Sequence, residues 1–85
     1  RLNAQRARVE NNISRTLRRG AQGDDVRTLQ AVLAEKGFDP GPADGIYGPL
    51  TEAAVRAFQD YRGLTVDGVA GKQTLGSLVI YGGRR

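Results

Sequence analysis

The chain has 85 residues with neither Cys nor His, so it is predicted to form one small domain without a disulfide framework. The missing residue types exclude a thiol nucleophile, a Ser-His-Asp triad and the usual zinc ligand sets. We therefore expect no catalytic residues, no metal and no cofactor. No apolar run approaches the length of a membrane-spanning helix, so we expect no membrane span.

The net charge of +4 is distributed unevenly along the chain. Residues 1–19 carry six Arg against one Glu, whereas residues 20–83 carry five basic against eight acidic residues, and the last two residues are Arg. A protein that binds nucleic acid concentrates its basic residues on a folded face or along a helix. Here the basic charge lies in the tails, which favours solvated segments and argues against nucleic acid as a partner.

The first segment, residues 1–16, is interpreted as a basic linker or a frayed helix. Leu2, Val9 and Ile13 recur at roughly helical spacing, but short polar residues between them compete for backbone hydrogen bonds. Whether the segment packs on the domain or on a partner stays open, and we expect its removal to cost little stability. The domain is placed at residues 17–80, followed by a basic C-terminal tail at residues 81–85.

Three helices are predicted within the domain. Val26, Leu29 and Leu33 share one face of the first helix, and Asp24 or Asp25 can cap its start. Pro is favoured at the first position of a helix, and Gly is favoured just after its end. Phe38, Phe58 and Leu29 are expected in the core. The predicted helices run, in chain order, from Asp24 to Gly37, from Pro49 to Gly63 and from Lys72 to about Val79.

The strongest sequence feature is an internal repeat of the form D-G-x-x-G-x-x-T, which spans residues 44–51 and recurs at residues 67–74. In such a loop the Asp bonds nearby backbone amides, and the first Gly adopts a positive φ that other residues resist. Gln30 and Gln59 precede the two copies, and we assign them first to bonding loop backbone groups. Because both Asp residues sit in the same context, we reject a glycosidase carboxylate pair and a calcium loop.

These residues resemble a known family. The order Leu29-Gln30, then D-G-I-Y-G-x-x-T, then Phe58-Gln59, then D-G-V-x-G-x-x-T is similar to the peptidoglycan-binding domain found beside many cell-wall hydrolases. The resemblance covers about residues 17–80. It implies an all-α, compact three-helix fold with two repeat-related loops. It also implies non-catalytic binding of peptidoglycan, at its glycan strand or its stem peptide, and a covalently linked catalytic or structural domain as partner.

The resemblance further implies a place in the bacterial cell envelope, periplasmic or extracellular, or in a phage protein. An alternative is that the same fold serves as a protein-docking or structural module of a larger assembly. Tyr47 has no aromatic counterpart at Ala70, so it is expected either to contact a ligand at the loop tip or to pack partly. Charged groups on the second helix could pair with the ends of a stem peptide. The candidate ligand-binding residues are Asp44, Tyr47, Thr51, Arg56, Gln59 and Asp60.

Overall fold

Four α-helices form the computed structural model, which describes residues 2–80 apart from the side chains of Leu2, Asn3 and Gln5. The predicted basic tail at residues 81–85 lies outside the described residues. The described residues form two isolated antiparallel bridges and no β-strand. None of its helices is long and apolar enough to cross a membrane. The helices are α1 (Leu2–Asn12), α2 (Asp24–Glu35), α3 (Pro49–Arg62) and α4 (Lys72–Ile80).

The all-α class and the three predicted helices are confirmed. Pro49 opens α3, and Gly63 ends it in the left-handed conformation at φ 73°, as the preferences for these residue types predict. The predicted cap of α2 is wrong, because Gly23 occupies the N-cap position and no side chain caps the helix there. Asp25 instead forms an ion pair with Arg15 at 2.7 Å.

The core lies between the helices, and α2 and α3 supply seven of its fifteen buried apolar residues. Phe58 and Leu29 are fully buried, and Phe38 is 3% exposed, so their predicted places in the core are confirmed. The Phe38 ring packs edge-on against Phe58 with 5.5 Å between centroids, a favoured aromatic geometry. The other buried apolar residues of these two helices are Val26, Val32, Leu33, Ala54 and Val55.

The N-terminal segment packs more closely than a linker. Val9 is 3% exposed and Ile13 is 8% exposed, and both belong to the core cluster. α1 contacts both α4 and α2. The described residues therefore form four helices rather than the three predicted. The expectation that removal of the N-terminal segment costs little stability conflicts with the burial of Val9 and Ile13. Among the described residues, two ion pairs also join this segment to the domain, namely Arg8–Glu35 at 2.9 Å and Arg15–Asp25 at 2.7 Å. A third pair, Arg19–Glu52 at 3.4 Å, lies within the domain.

Removal of residues 1–13 should lower the free energy of unfolding by about 3 kcal/mol or more. Burial of one Val or Ile side chain contributes roughly 1.5–3 kcal/mol, and two such side chains are lost. Urea unfolding of the shortened and full-length chains measures the difference. Arg6→Ala is the control, because its pair with Glu10 is exposed on both sides. Equal stability of the shortened and full-length chains would contradict the packing of α1.

Candidate functional site

The first repeat loop, residues 44–51, is held by the side chain of Gln30, which is 1% exposed on α2. Its amide nitrogen donates to Asp44 Oδ1 at 3.2 Å, to the Ile46 carbonyl at 3.0 Å and to Thr51 Oγ1 at 2.9 Å. Its amide oxygen accepts from the Gly45 N–H at 2.9 Å. The predicted role of Gln30 in bonding loop backbone groups is confirmed.

The second repeat loop, residues 67–74, is held in the same way by Gln59 on α3, also 1% exposed. The Gln59 nitrogen donates to Asp67 Oδ1 at 2.8 Å, to the Val69 carbonyl at 3.0 Å and to Thr74 Oγ1 at 3.0 Å. Its oxygen accepts from the N–H groups of Asp67 and Gly68 at 3.1 and 3.0 Å. The two loops therefore share one hydrogen-bonding scheme.

The aspartates of the two loops are ionised turn residues. Asp44 accepts from the Ile46 N–H and Asp67 from the Val69 N–H, each at 2.9 Å. These backbone bonds, followed by the bonds from the glutamine amides, lower the pKa of both carboxyl groups. The acid of a glycosidase needs a raised pKa, so the structure supports the interpretation of Asp44 and Asp67 as loop architecture.

Tyr47 is buried, so of its two expected roles the structure supports packing and not ligand contact at the loop tip. The residue is 1% exposed, and its hydroxyl donates to the Gly68 carbonyl in the second loop at 2.6 Å. Burial also raises the pKa of its phenol. The ring thus joins the first loop to the second, while its repeat counterpart Ala70 is fully buried and forms a bridge with Leu17. The difference between the two copies reflects packing between them.

The remaining predicted residues do not gather in one groove. Thr51 and Gln59 are 2% and 1% exposed and are bonded within the loops, so they hold the loops in place. Arg56 and Asp60 are exposed on α3. The Arg56 guanidinium lies over the second loop, where a Cβ added to Gly68 would be 3.0 Å from its Nε. Only Asp44 combines exposure with a position at a groove.

That groove, here called the first-loop groove, has a volume of about 250 Å³. Gln30, Asp44 and Thr51 contribute its polar side chains. Two large apolar residues in it are open to solvent, Ile46 at 53% and Leu50 at 61% exposed. The sequence carried a signal for this surface, because the second copy has Gln73 where the first has Leu50. Its apolar walls are Pro40, Pro42, Ile46, Pro49 and Leu50.

A second groove of about 360 Å³ lies between α1 and α4. Its apolar lining includes Val9, Ile13, Leu75 and Val79, and Lys72 also borders it. None of the predicted site residues lines this groove. The two grooves therefore differ in composition as well as in position.

Comparison with known proteins gives the family. A family model described as "Putative peptidoglycan binding domain" matches residues 22–78. The chain belongs to this peptidoglycan-binding domain family. The match contains the whole first-loop groove and both repeat loops, whereas α1 lies outside it.

Three similar proteins place this peptidoglycan-binding domain in context. The chain is 45% identical over 71 residues to the spore cortex-lytic enzyme of Bacillus cereus, covering 84% of this chain and 27% of that protein. It superposes on the SleB N-terminal domain with a TM-score of 0.77 and 44% identity, covering 80% and 93% of the two chains. It also resembles a periplasmic domain of the Vibrio vulnificus type II secretion EpsAB fusion protein (TM-score 0.73, 30% identity, 79% and 30% covered). The chain thus spans about a quarter of its curated relative.

Gly45→Val and Gly68→Val should each destabilise the fold, Gly45→Val more strongly. Both glycines have positive φ, 79° and 72°, where a β-branched residue is strained by about 1–3 kcal/mol. A Cβ at Gly45 would also lie 3.0 Å from the Gly23 carbonyl oxygen, whereas at Gly68 it would meet the flexible side chains of Glu52 and Arg56. Thermal melts of the two variants test which of them has the lower melting temperature. Gly48→Ala is the control, because a Cβ there meets nothing within 4 Å.

Tyr47→Phe should cost about 1–3 kcal/mol of stability, because it leaves the Gly68 carbonyl without its buried donor. Tyr47→Ala should cost about 3–5 kcal/mol, the range for loss of a buried aromatic side chain. Chemical unfolding measures both values. The comparison variant is Tyr61→Ala, since Tyr61 is 51% exposed and should cost less. Similar losses for the two alanine variants would show that Tyr47 is not a core residue.

Proposed function

We propose that this chain is a non-catalytic module that binds peptidoglycan and holds a covalently linked catalytic or structural domain at the cell wall. The observation that carries the proposal is the family match over residues 22–78. The matched relatives include cell-wall hydrolases in which a segment like this chain is a minor part of the protein. A tethered module raises the local concentration of its partner domain near a polymer, so weak affinity at each site is sufficient.

The first-loop groove is the part of the domain best suited to contact the polymer. Loops held by a rigid scaffold commonly carry binding surfaces, and here the Gln30 bonds fix the loop to α2. An exposed apolar patch on a small domain is typical of an interaction site, and Ile46 and Leu50 form such a patch. We therefore assign ligand contact to Asp44, Ile46 and Leu50, and a supporting role to Thr51.

The proposed location follows from the proposed ligand. A module that binds peptidoglycan acts in the bacterial cell envelope, either in the periplasm or outside the cell, or as part of a phage protein. The spore cortex-lytic relatives and the solved structure of a Burkholderia phage endolysin are compatible with both settings.

A second candidate function is docking within a protein assembly. The observation that favours it is the similarity to the periplasmic domain of the EpsAB fusion protein, part of a secretion system. In that case the exposed apolar residues of the first-loop groove would contact protein instead of cell wall. Binding to purified cell wall distinguishes the two functions.

The chain should co-sediment with purified sacculi and release neither sugars nor amines from them.

Leu50→Gln should weaken this binding several-fold and leave the melting temperature nearly unchanged, because Leu50 is 61% exposed and such surface substitutions change stability by about 0.5 kcal/mol or less. The second loop already carries Gln73 at the equivalent position, which shows that the loop accepts this residue type. Gln73→Leu is the matched control and should leave binding intact.

Each alternative outcome identifies a different function. If the chain stays in the supernatant, docking to a protein is favoured over cell-wall binding. Release of soluble fragments would show catalysis. If the chain sediments and Leu50→Gln sediments equally well, peptidoglycan is bound elsewhere on the domain.

A further inference from the structure

The walls of the first-loop groove are aliphatic. Three prolines, Ile46 and Leu50 form them, and no aromatic ring lines the groove. Pockets that enclose a whole small molecule usually measure about 300–1,000 Å³, so a groove of about 250 Å³ has room for only part of a ligand. Small apolar groups such as methyls match these walls in size and polarity.

Two of the three polar side chains in the groove, Gln30 and Thr51, are already bonded within the first loop. The Gln30 nitrogen donates to three acceptors, one of which is Thr51 Oγ1, and the Gln30 oxygen accepts from Gly45. Both side chains are at least 98% buried. A sugar ring placed against these two side chains would lose water from its hydroxyl groups without gaining equivalent partners, which is costly. Apart from Asp44, the groove therefore offers few partners to the hydroxyl-rich face of a sugar.

Asp44 supplies the only charged side chain among the residues that line the groove. Both of its hydrogen bonds use Oδ1, so Oδ2 is left for solvent or for a ligand on this exposed residue. Arg27 is also near enough for its charge to help lower the pKa of Asp44, while its guanidinium lies 3.9 Å from Asp24. An ammonium group is the natural complement of a free carboxylate oxygen.

We propose that the first-loop groove binds the stem peptide of peptidoglycan, with methyl side chains against Ile46 and Leu50 and an amine against Asp44. This inference rests on the proposed function. Both the alanines of the stem peptide and the N-acetyl groups of the glycan strand carry methyl groups, but only the stem peptide combines methyls with an amine. The peptide main chain stays at the open edge of the groove, where water satisfies its amides.

The second loop has the same hydrogen-bonding scheme as the first, but it lacks two of the aliphatic residues that line the first-loop groove. Pro49 and Leu50 are replaced there by Lys72 and Gln73. Arg56 lies beside Asp67 as Arg27 lies beside Asp44, and each guanidinium helps to lower the pKa of its neighbouring carboxyl group. A cationic ligand at the second loop would also meet Lys72, so this loop carries one more positive charge than the first. It therefore provides matched control positions within one chain.

The test is competition for sacculi with three probes, using the full chain. The first probe is a synthetic Ala-γ-Glu-Lys-Ala-Ala pentapeptide that is acetylated at its N-terminus, so that lysine carries its only amine, and the second is the same peptide acetylated on lysine as well. The third is glycan strands freed of peptide. We expect the first to displace the chain from sacculi, the second to do so about two- to five-fold less well, the range for one exposed ion pair, and the third to have no effect.

Asp44→Asn and Asp67→Asn assign the effect to one loop. Asparagine keeps an Oδ1 acceptor for the glutamine and backbone donors, so both loops should hold their form while one charge is removed. We expect Asp44→Asn to lose the preference for the free amine and Asp67→Asn to retain it. Equal loss in both variants would overturn the role of Asp44, because it would indicate a general effect on the loops.

The outcomes separate this inference from the proposed function. Binding to sacculi that is displaced by peptide-free glycan, and not by the pentapeptide, overturns the inference and leaves peptidoglycan binding intact. Equal competition by the free and acetylated peptides overturns the amine contact with Asp44. Absence of binding to sacculi overturns the proposed function itself.

Discussion

Two buried glutamine amides organise this domain. A primary amide both donates and accepts, so one side chain can bond the carboxylate, the carbonyl, the hydroxyl and the N–H of a single loop. Gln30 does this for the first loop and Gln59 for the second. Buried polar groups destabilise a fold when they lack partners, and no described buried side chain lacks one. Each loop, although it has no regular structure, is thereby bonded to the helix that carries its glutamine.

The two loops are also joined to each other, so the repeat folds as one unit. The Tyr47 hydroxyl bonds the Gly68 carbonyl, and Leu17 and Ala70 exchange backbone bonds in both directions, at 3.1 and 2.8 Å. α1 then packs Val9 and Ile13 onto the remaining apolar surface. Displacement of any one of these contacts would expose polar and apolar groups in several elements together, which is the basis of cooperative unfolding.

The sequence predicts much of this structure, and the errors have physical causes. The periodic apolar residues locate α2 and α3, and Gly45 and Gly68 mark the turns because few other residues adopt their φ. The burial of the N-terminal segment is not predictable from its pattern. Among its described side chains Val9 of α1 and Ile13 just after the helix reach the core, and the sequence of the helix has no continuous apolar face. In the sequence alone, the difference between Tyr47 and Ala70 is interpreted as a sign of ligand contact. Such a difference between two copies of a repeat also arises where one copy packs against the other, as the Tyr47 hydroxyl does on Gly68. The first-loop groove depends on prolines outside the repeat.

The folding of the N-terminal segment onto the domain changes what the uneven charge of the chain means. Arg8, Arg15 and Arg19 each pair with an acidic residue of the domain, and Arg6 pairs with Glu10. Charges that are segregated along the chain are therefore interleaved on the folded surface. A polyanion approaching these four arginines meets guanidinium groups that already have carboxylate neighbours, and its long-range attraction to them is correspondingly weak. The ion pair proposed for Asp44 is then the contact that added salt screens, whereas the apolar contacts proposed for Ile46 and Leu50 do not depend on charge.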